Sequence, residues 1–134
     1  MHERLLRPHV VVGEPSPGER ARLVALLRDA GDLHVAGEAG TADELLEVLR
    51  RTQPDGLLVD EAMALQGVPE LLRRIRREAP RLVIVALSRA GGRAWTSRAD
   101  ALGADLVVDR RHGLAELVEA LSLRPAPRPL APRA

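Results

Sequence analysis

Four polar side chains in this 134-residue sequence lie at the ends of short apolar runs: Glu14, Asp60, Ser88 and Arg110. If the runs are strands of one parallel sheet, these side chains share its carboxyl edge, where open α/β sheets bind ligands. A carboxylate can attack phosphorus, and a second carboxylate can share a divalent cation. A hydroxyl and a cationic side chain can hold the phosphoryl oxygens. The set therefore indicates phosphoryl-transfer chemistry.

Five apolar runs must position these side chains. Each run is short and rich in Leu or β-branched residues. The runs lack the alternation of apolar and polar residues that is typical of a strand with one solvent-exposed face. We therefore expect strands that are covered on both faces, over residues 9–12, 33–35, 56–59, 82–87 and 106–108.

Amphipathic segments alternate with these runs and predict helices over residues 20–30, 41–51, 68–78, 92–102 and 113–123. Thr41 and Glu44 have the spacing of a capping box, and Gly31 is a typical helix stop. The third segment carries a set of arginines that we expect to form a solvated helix face: Arg73, Arg74, Arg76 and Arg77.

Five β/α repeats predict an α/β fold with a single doubly wound, five-stranded parallel sheet. Right-handed crossovers would place helices on both faces of that sheet. We expect one domain over residues 1–123. Residues 124–134 alternate Pro, Ala and Arg, which predicts a flexible tail or linker.

Composition excludes several classes of site. Cysteine is absent, which removes disulfides, thiolate catalysis and cysteine-based metal sites. The formal net charge is only +1, so we expect no direct nucleic-acid binding by this domain. The sequence has no apolar run long enough for a bilayer and no signal-peptide pattern, so the expected location is cytoplasmic, without a membrane partner.

Several segments together resemble a response-regulator receiver domain, from about Pro8 to Leu123. Residues 54–60 are similar to the family's strand that ends in the phosphorylated aspartate, and Met63 stands three residues further on, although Ala64 replaces a proline. Residues 83–88 resemble the strand that ends in a hydroxyl residue. Residues 101–105 resemble the turn before the last strand. The resemblance implies the flavodoxin-like (βα)5 receiver fold.

The resemblance implies a role for each of the four polar residues. Asp60 is the phosphoacceptor, Ser88 and Arg110 hold the phosphoryl group, and Glu14 with Asp60 binds Mg²⁺. The active site departs from the family pattern, because Pro15 stands where a second acid is usual. The family's lysine falls at Arg110, with Arg111 as the alternative position. Val107 replaces the aromatic residue whose orientation usually changes with phosphorylation.

Two functions agree with these residues. The first is a non-enzymatic signalling module that accepts a phosphoryl group from a histidine kinase. It would form a homodimer through the fourth helix, fifth strand and fifth helix, where Trp95 favours an interface. The second is a degenerate receiver that acts as a phosphorylation-independent dimerisation or docking module, with an attached or partner DNA-binding output domain. A small enzyme on this fold is disfavoured, because the sequence has no glycine-rich phosphate loop.

Overall fold

The computed structural model describes residues 7–31, 33–66, 68–88, 101, 103–109 and 113–123. Its strands are β1 (His9–Gly13), β2 (His34–Ala39), β3 (Gly56–Asp60), β4 (Val83–Ser88) and β5 (Leu106–Asp109). Its helices are α1 (Pro17–Ala30), α2 (Ala42–Thr52), α3 (Val68–Glu78) and α4 (Gly113–Leu123), with a 3₁₀ helix over Glu61–Gln66.

All strand pairs are parallel, and the sheet order is β2-β1-β3-β4-β5. This order confirms the predicted doubly wound, five-stranded sheet. The helix predicted over residues 92–102 lies outside the described residues except for Ala101, so α4 here is the fifth of the predicted helical segments. The predicted tail over residues 124–134 also lies outside them.

Two element boundaries differ from the sequence prediction by three residues or more. Helix α1 begins at Pro17, three residues earlier than expected, because the side chain of Ser16 caps it and proline is well suited to the first helical position. Strand β2 extends to Ala39, beyond the apolar run that predicted it. It lies at one edge of the sheet and is more exposed than β1, so polar Glu38 is tolerated within it.

Aliphatic side chains cover both faces of the sheet. Val11, Leu57 and Ile84 face α2 and α3 on one side, within a buried cluster. Val10 and Leu58 face α1 and α4 on the other side, within a second cluster. Successive residues of one strand are therefore buried on opposite faces, which explains why the strands read as unbroken apolar runs.

Arg76 is not part of a solvated helix face, and that expectation was wrong for this residue. Its guanidinium donates to the carbonyl oxygen of Gly103 at 2.6 Å and to that of Leu82 at 2.8 Å. It also donates to Oδ2 of Asp105 at 2.8 Å, and the same Oδ2 accepts from the backbone N–H of Ile84 at 2.7 Å. Arg76 thus ties α3 to the starts of β4 and β5.

We expect Arg76→Met to lower the free energy of unfolding by about 2–3 kcal/mol, because it leaves several partly buried acceptors without their donor. The matched variant Arg77→Met, on the exposed face of the same helix, should change it by less than about 0.5 kcal/mol. Urea denaturation followed by circular dichroism measures both. Equal losses for the two variants would contradict the role assigned to Arg76.

The amino edge of the sheet carries a histidine pair. His9 and His34 are register partners on β1 and β2, and their ring centroids lie 4.6 Å apart. Burial lowers the pKa of His34 below its ordinary value of 6.5, and the positive charges of His9, Arg7 and Arg28 lower it further. Around and below pH 6.5, His34 is therefore protonated less often in the folded chain than in the unfolded chain.

The free energy of unfolding should therefore fall as the pH drops below about 6.5 and the unfolded chain gains this proton. In His34→Gln we expect a shallower fall, because the titrating group is gone. Denaturation midpoints at about pH 7.5 and about pH 5.5 measure the difference. An unchanged pH dependence in the variant would show that other groups cause it.

Candidate functional site

Asp60 is the last residue of β3, the strand at the centre of the sheet. Its side chain is fully buried, and its Oδ1 accepts a hydrogen bond from the backbone N–H of Ala62 at 2.8 Å. The four preceding residues are buried in the two apolar clusters or against them, so Asp60 is the first acid that the strand presents at the carboxyl edge.

Glu14 follows β1 directly and is also fully buried. Its carboxylate accepts from the backbone N–H of Ser16 at 2.8 Å, and its own N–H donates to the carbonyl oxygen of Ala39 at 3.0 Å. Gly13 and Val59 are register partners, so Glu14 and Asp60 leave adjacent strands at the same level. We call these two carboxylates the acidic pocket.

Ser88 ends β4 and is the register partner of Asp109 on β5. Its hydroxyl donates to the carbonyl oxygen of Val108 at 3.3 Å, so it contacts the neighbouring strand. Val107, at the position of the family's aromatic residue, packs against the apolar cluster on the α2 and α3 side. Arg110 and Trp95, two residues predicted to be functional, lie outside the described residues.

The acidic pocket offers two carboxylates to a divalent cation. Mg²⁺ in proteins keeps several of its waters and is commonly bound by one or two carboxylates. Glu14 and Asp60 provide two buried carboxylates at the same level of adjacent strands, whereas Pro15 offers neither a side-chain oxygen nor a backbone N–H. Across the described ranges, no cluster of three or more His, Cys, Asp or Glu side chains is arranged to hold a metal ion.

Sequence reasoning missed one residue beside this pocket. Arg20 of α1 donates from Nη1 to the carbonyl oxygen of Glu14 at 2.8 Å and from Nε to Oε1 of Glu38 at 3.1 Å. Its place one turn after the capping Ser16 is the only sequence signal for it, and many surface arginines share that signal.

Comparison with known proteins decides the family. Residues 10–122 match the family model described as the response regulator receiver domain. The chain belongs to the response-regulator receiver family. Receiver domains are signalling modules that generally bind Mg²⁺ at an acidic pocket, and phosphorylation by histidine kinases is general in the family.

Curated relatives of this receiver domain include two proteins named response regulator GacA. The one from Pseudomonas viridiflava is 31% identical over 104 residues, which cover 78% of this chain and 49% of that protein. The one from Pseudomonas aeruginosa is 28% identical over 102 residues, with 76% and 48% covered. The chain thus spans about half the length of these relatives.

The receiver fold also matches solved structures. The signal receiver domain of the response regulator NarL from Mycobacterium tuberculosis has 26% identity and a TM-score of 0.73, with 88% of this chain and 98% of that chain covered. A LuxR-family two-component response regulator from Aurantimonas sp. SI85-9A1 has 26% identity and a TM-score of 0.75, with 86% and 82% covered.

No helix in the described part of this receiver is long and apolar enough to cross a membrane.

Pro15 provides a direct test of the pocket's capacity for a cation. We expect Pro15→Asp to raise the affinity for Mn²⁺ about tenfold or more, because it adds a third carboxylate beside Glu14. Pro17→Asp, two residues further on at the exposed start of α1, is the matched control for added charge. Electron paramagnetic resonance titration with Mn²⁺ measures both. Equal gains in the two variants would indicate a general charge effect.

Proposed function

We propose that this chain is a signalling receiver in which Asp60 accepts a phosphoryl group from a partner histidine kinase. One observation carries the proposal: a fully buried aspartate ends the central strand, and a second fully buried acid, Glu14, directly follows the adjacent strand. Membership in the receiver family supports the same reaction.

In the proposed reaction, a carboxylate oxygen of Asp60 attacks the phosphorus of a phosphohistidine. A bond forms between that oxygen and phosphorus, and the bond between phosphorus and the imidazole nitrogen breaks. The electron pair leaves with the imidazole, which then takes up a proton. Glu14 and Asp60 would hold Mg²⁺, which supplies positive charge to the phosphoryl oxygens when bound.

Ser88 and Arg110 are the residues that we propose to hold the phosphoryl group. The hydroxyl of Ser88 donates to Val108 of β5, so turning it toward a phosphoryl oxygen would release that carbonyl group. Phosphorylation of Asp60 would then change the contact between Ser88 and β5 by breaking this hydrogen bond. A phosphoryl group can shift the protein only by binding one arrangement more tightly than the other.

The proposal extends to partners and location. Phosphorylation would change a homodimer contact formed by the segment over residues 92–102, by β5 and by α4. The domain itself would bind neither nucleic acid nor a membrane. It would act in the cytoplasm on a DNA-binding output domain, either attached beyond the tail over residues 124–134 or on a partner. The LuxR-family solved neighbours, one of which is described as DNA-binding, support that choice of output.

A second function is favoured by one specific observation. Pro15 stands where the family pattern has a second acid. This leaves two carboxylates for the cation, fewer than the family pattern provides. A receiver with a weakened cation site could serve as a docking or dimerisation module without phosphorylation. In that case, self-association would be the same in the wild type and in Asp60→Asn.

Phosphorylation is tested by incubating the chain with acetyl phosphate and Mg²⁺ and measuring its intact mass. We expect a mass increase of one phosphoryl group that is absent in Asp60→Asn, because no other residue is proposed as the acceptor. Glu61→Gln, which alters the neighbouring acid, is the matched control and should retain the adduct. Glu14→Gln should slow its formation about tenfold or more.

The absence of any adduct, with no spectral response to beryllofluoride, would overturn phosphorylation and favour the docking function. An adduct that persists in Asp60→Asn would show that another residue is the acceptor.

A further inference from the structure

Arg20 lies in the first turns of α1, next to the acidic pocket. Its backbone N–H donates to the carbonyl oxygen of Ser16 at 2.8 Å, which is the first hydrogen bond of the helix. Its side chain is 20% exposed, so most of it packs against the protein. The position of its guanidinium group is therefore fixed by the start of the helix and by the groups it contacts.

Those groups belong to the ends of two neighbouring strands. One nitrogen, Nη1, donates to the carbonyl oxygen of Glu14, which follows β1. Another, Nε, forms an ion pair at 3.1 Å with Glu38 near the end of β2. The next residue of β2, Ala39, accepts from the N–H of Glu14. Glu14 is therefore held at its N–H by β2 and at its carbonyl group by Arg20.

Gly40 leaves the space that the guanidinium group needs. A Cβ atom at this position would lie 2.5 Å from Nη1 of Arg20, closer than carbon atoms of real side chains approach. The N–H of Gly40 donates to Oε1 of Glu44 at 2.8 Å, so the first turn of α2 fixes this backbone. The φ of Gly40 is not in the left-handed region, so its backbone conformation does not require glycine. The close approach of Arg20 is what favours glycine at this position.

We infer that Arg20 is a positioning residue that holds Glu14 for the chemistry of the acidic pocket. The inference rests on the proposed function, because it assigns Glu14 a cation. The residue after Glu14 is a proline and has no N–H, so this loop has one fewer group with which to fix itself. A hydrogen bond from a charged guanidinium to a carbonyl oxygen is stronger than a neutral one, which suits it to this task.

The geometry of arginine is part of the inference. Its planar group presents Nη1 and Nε in fixed directions, so one side chain reaches Glu14 and Glu38 together. Lysine has a single ammonium group on a flexible stem and would hold at most one of these acceptors in a fixed geometry. Arg20→Lys should therefore lose part of the positioning of Glu14, and Arg20→Gln should lose nearly all of it.

The first test measures Mn²⁺ affinity by electron paramagnetic resonance at a temperature where every variant is folded. We expect Arg20→Gln to weaken binding about tenfold, as for partners that orient a metal ligand. Glu38→Gln removes the ion pair but keeps the bond from Arg20 to Glu14, so it should weaken binding less than about threefold.

A double variant separates positioning from general stability. In a Glu14→Gln background, adding Arg20→Gln should change Mn²⁺ affinity little, because the residue on which Arg20 acts has already lost its charge. The same tenfold loss in both backgrounds would overturn the inference. So would wild-type affinity in the Arg20→Gln single variant.

The second test needs no metal. The N–H of Ser16 donates to the Glu14 carboxylate, so its hydrogen exchange reports whether Glu14 is held in place. In Arg20→Gln we expect this amide to exchange about tenfold faster, while the amide of Val11 in β1 keeps its rate. An unchanged Ser16 rate would overturn the positioning role.

The two tests distinguish the two proposals. A wild-type chain that binds no Mn²⁺ would overturn the cation site of the proposed function, whereas the Ser16 exchange rate would still decide the role of Arg20. A chain that binds Mn²⁺ with equal affinity in the wild type and in Arg20→Gln would overturn only the Arg20 inference.

Discussion

Aliphatic side chains pack on both faces of the sheet and so limit where polar groups can lie in this structure. Strands β1, β3 and β4 are buried along nearly all of their length, and the chain has no Phe or Tyr to fill the space with larger rings. A polar side chain within such a strand would face an apolar layer at a cost of several kcal/mol. Polar chemistry is therefore confined to the two edges where the strands begin and end.

The helices give these two edges opposite character. Each helix runs antiparallel to the strand before it, so helix N-termini lie at the carboxyl edge of the sheet. Acids occupy the first turns, and arginines occupy the last turns of the first three helices. Both placements complement the helix dipole. The acids are Glu19, Asp43, Glu44, Glu70 and Glu116, and the arginines are Arg28, Arg50, Arg51, Arg76 and Arg77.

One arginine anchors a loop at each edge. Arg76 gathers carbonyl groups and a carboxylate at the amino edge, where β4 and β5 begin. Arg20 holds the backbone of Glu14 at the carboxyl edge, where β1 ends. Both use the several fixed N–H directions of a guanidinium group, which suits this side chain to holding backbone oxygens of a loop. The sequence contains no lysine, so all of its long cationic side chains are arginines.

Local sequence patterns were enough to predict the fold class, the helical segments that the structure describes and the positions of Asp60, Glu14 and Ser88 at or directly after strand ends. Those features are local, because apolar runs, capping residues and helix stops act over a few residues. The sequence missed the extension of β2 and the roles of Arg20 and Arg76. These depend on contacts between residues far apart in the chain: Arg20 with Glu38, and Arg76 with Gly103. An exposed arginine and an arginine that anchors a loop have the same local pattern, and only tertiary structure brings the second one to its acceptors.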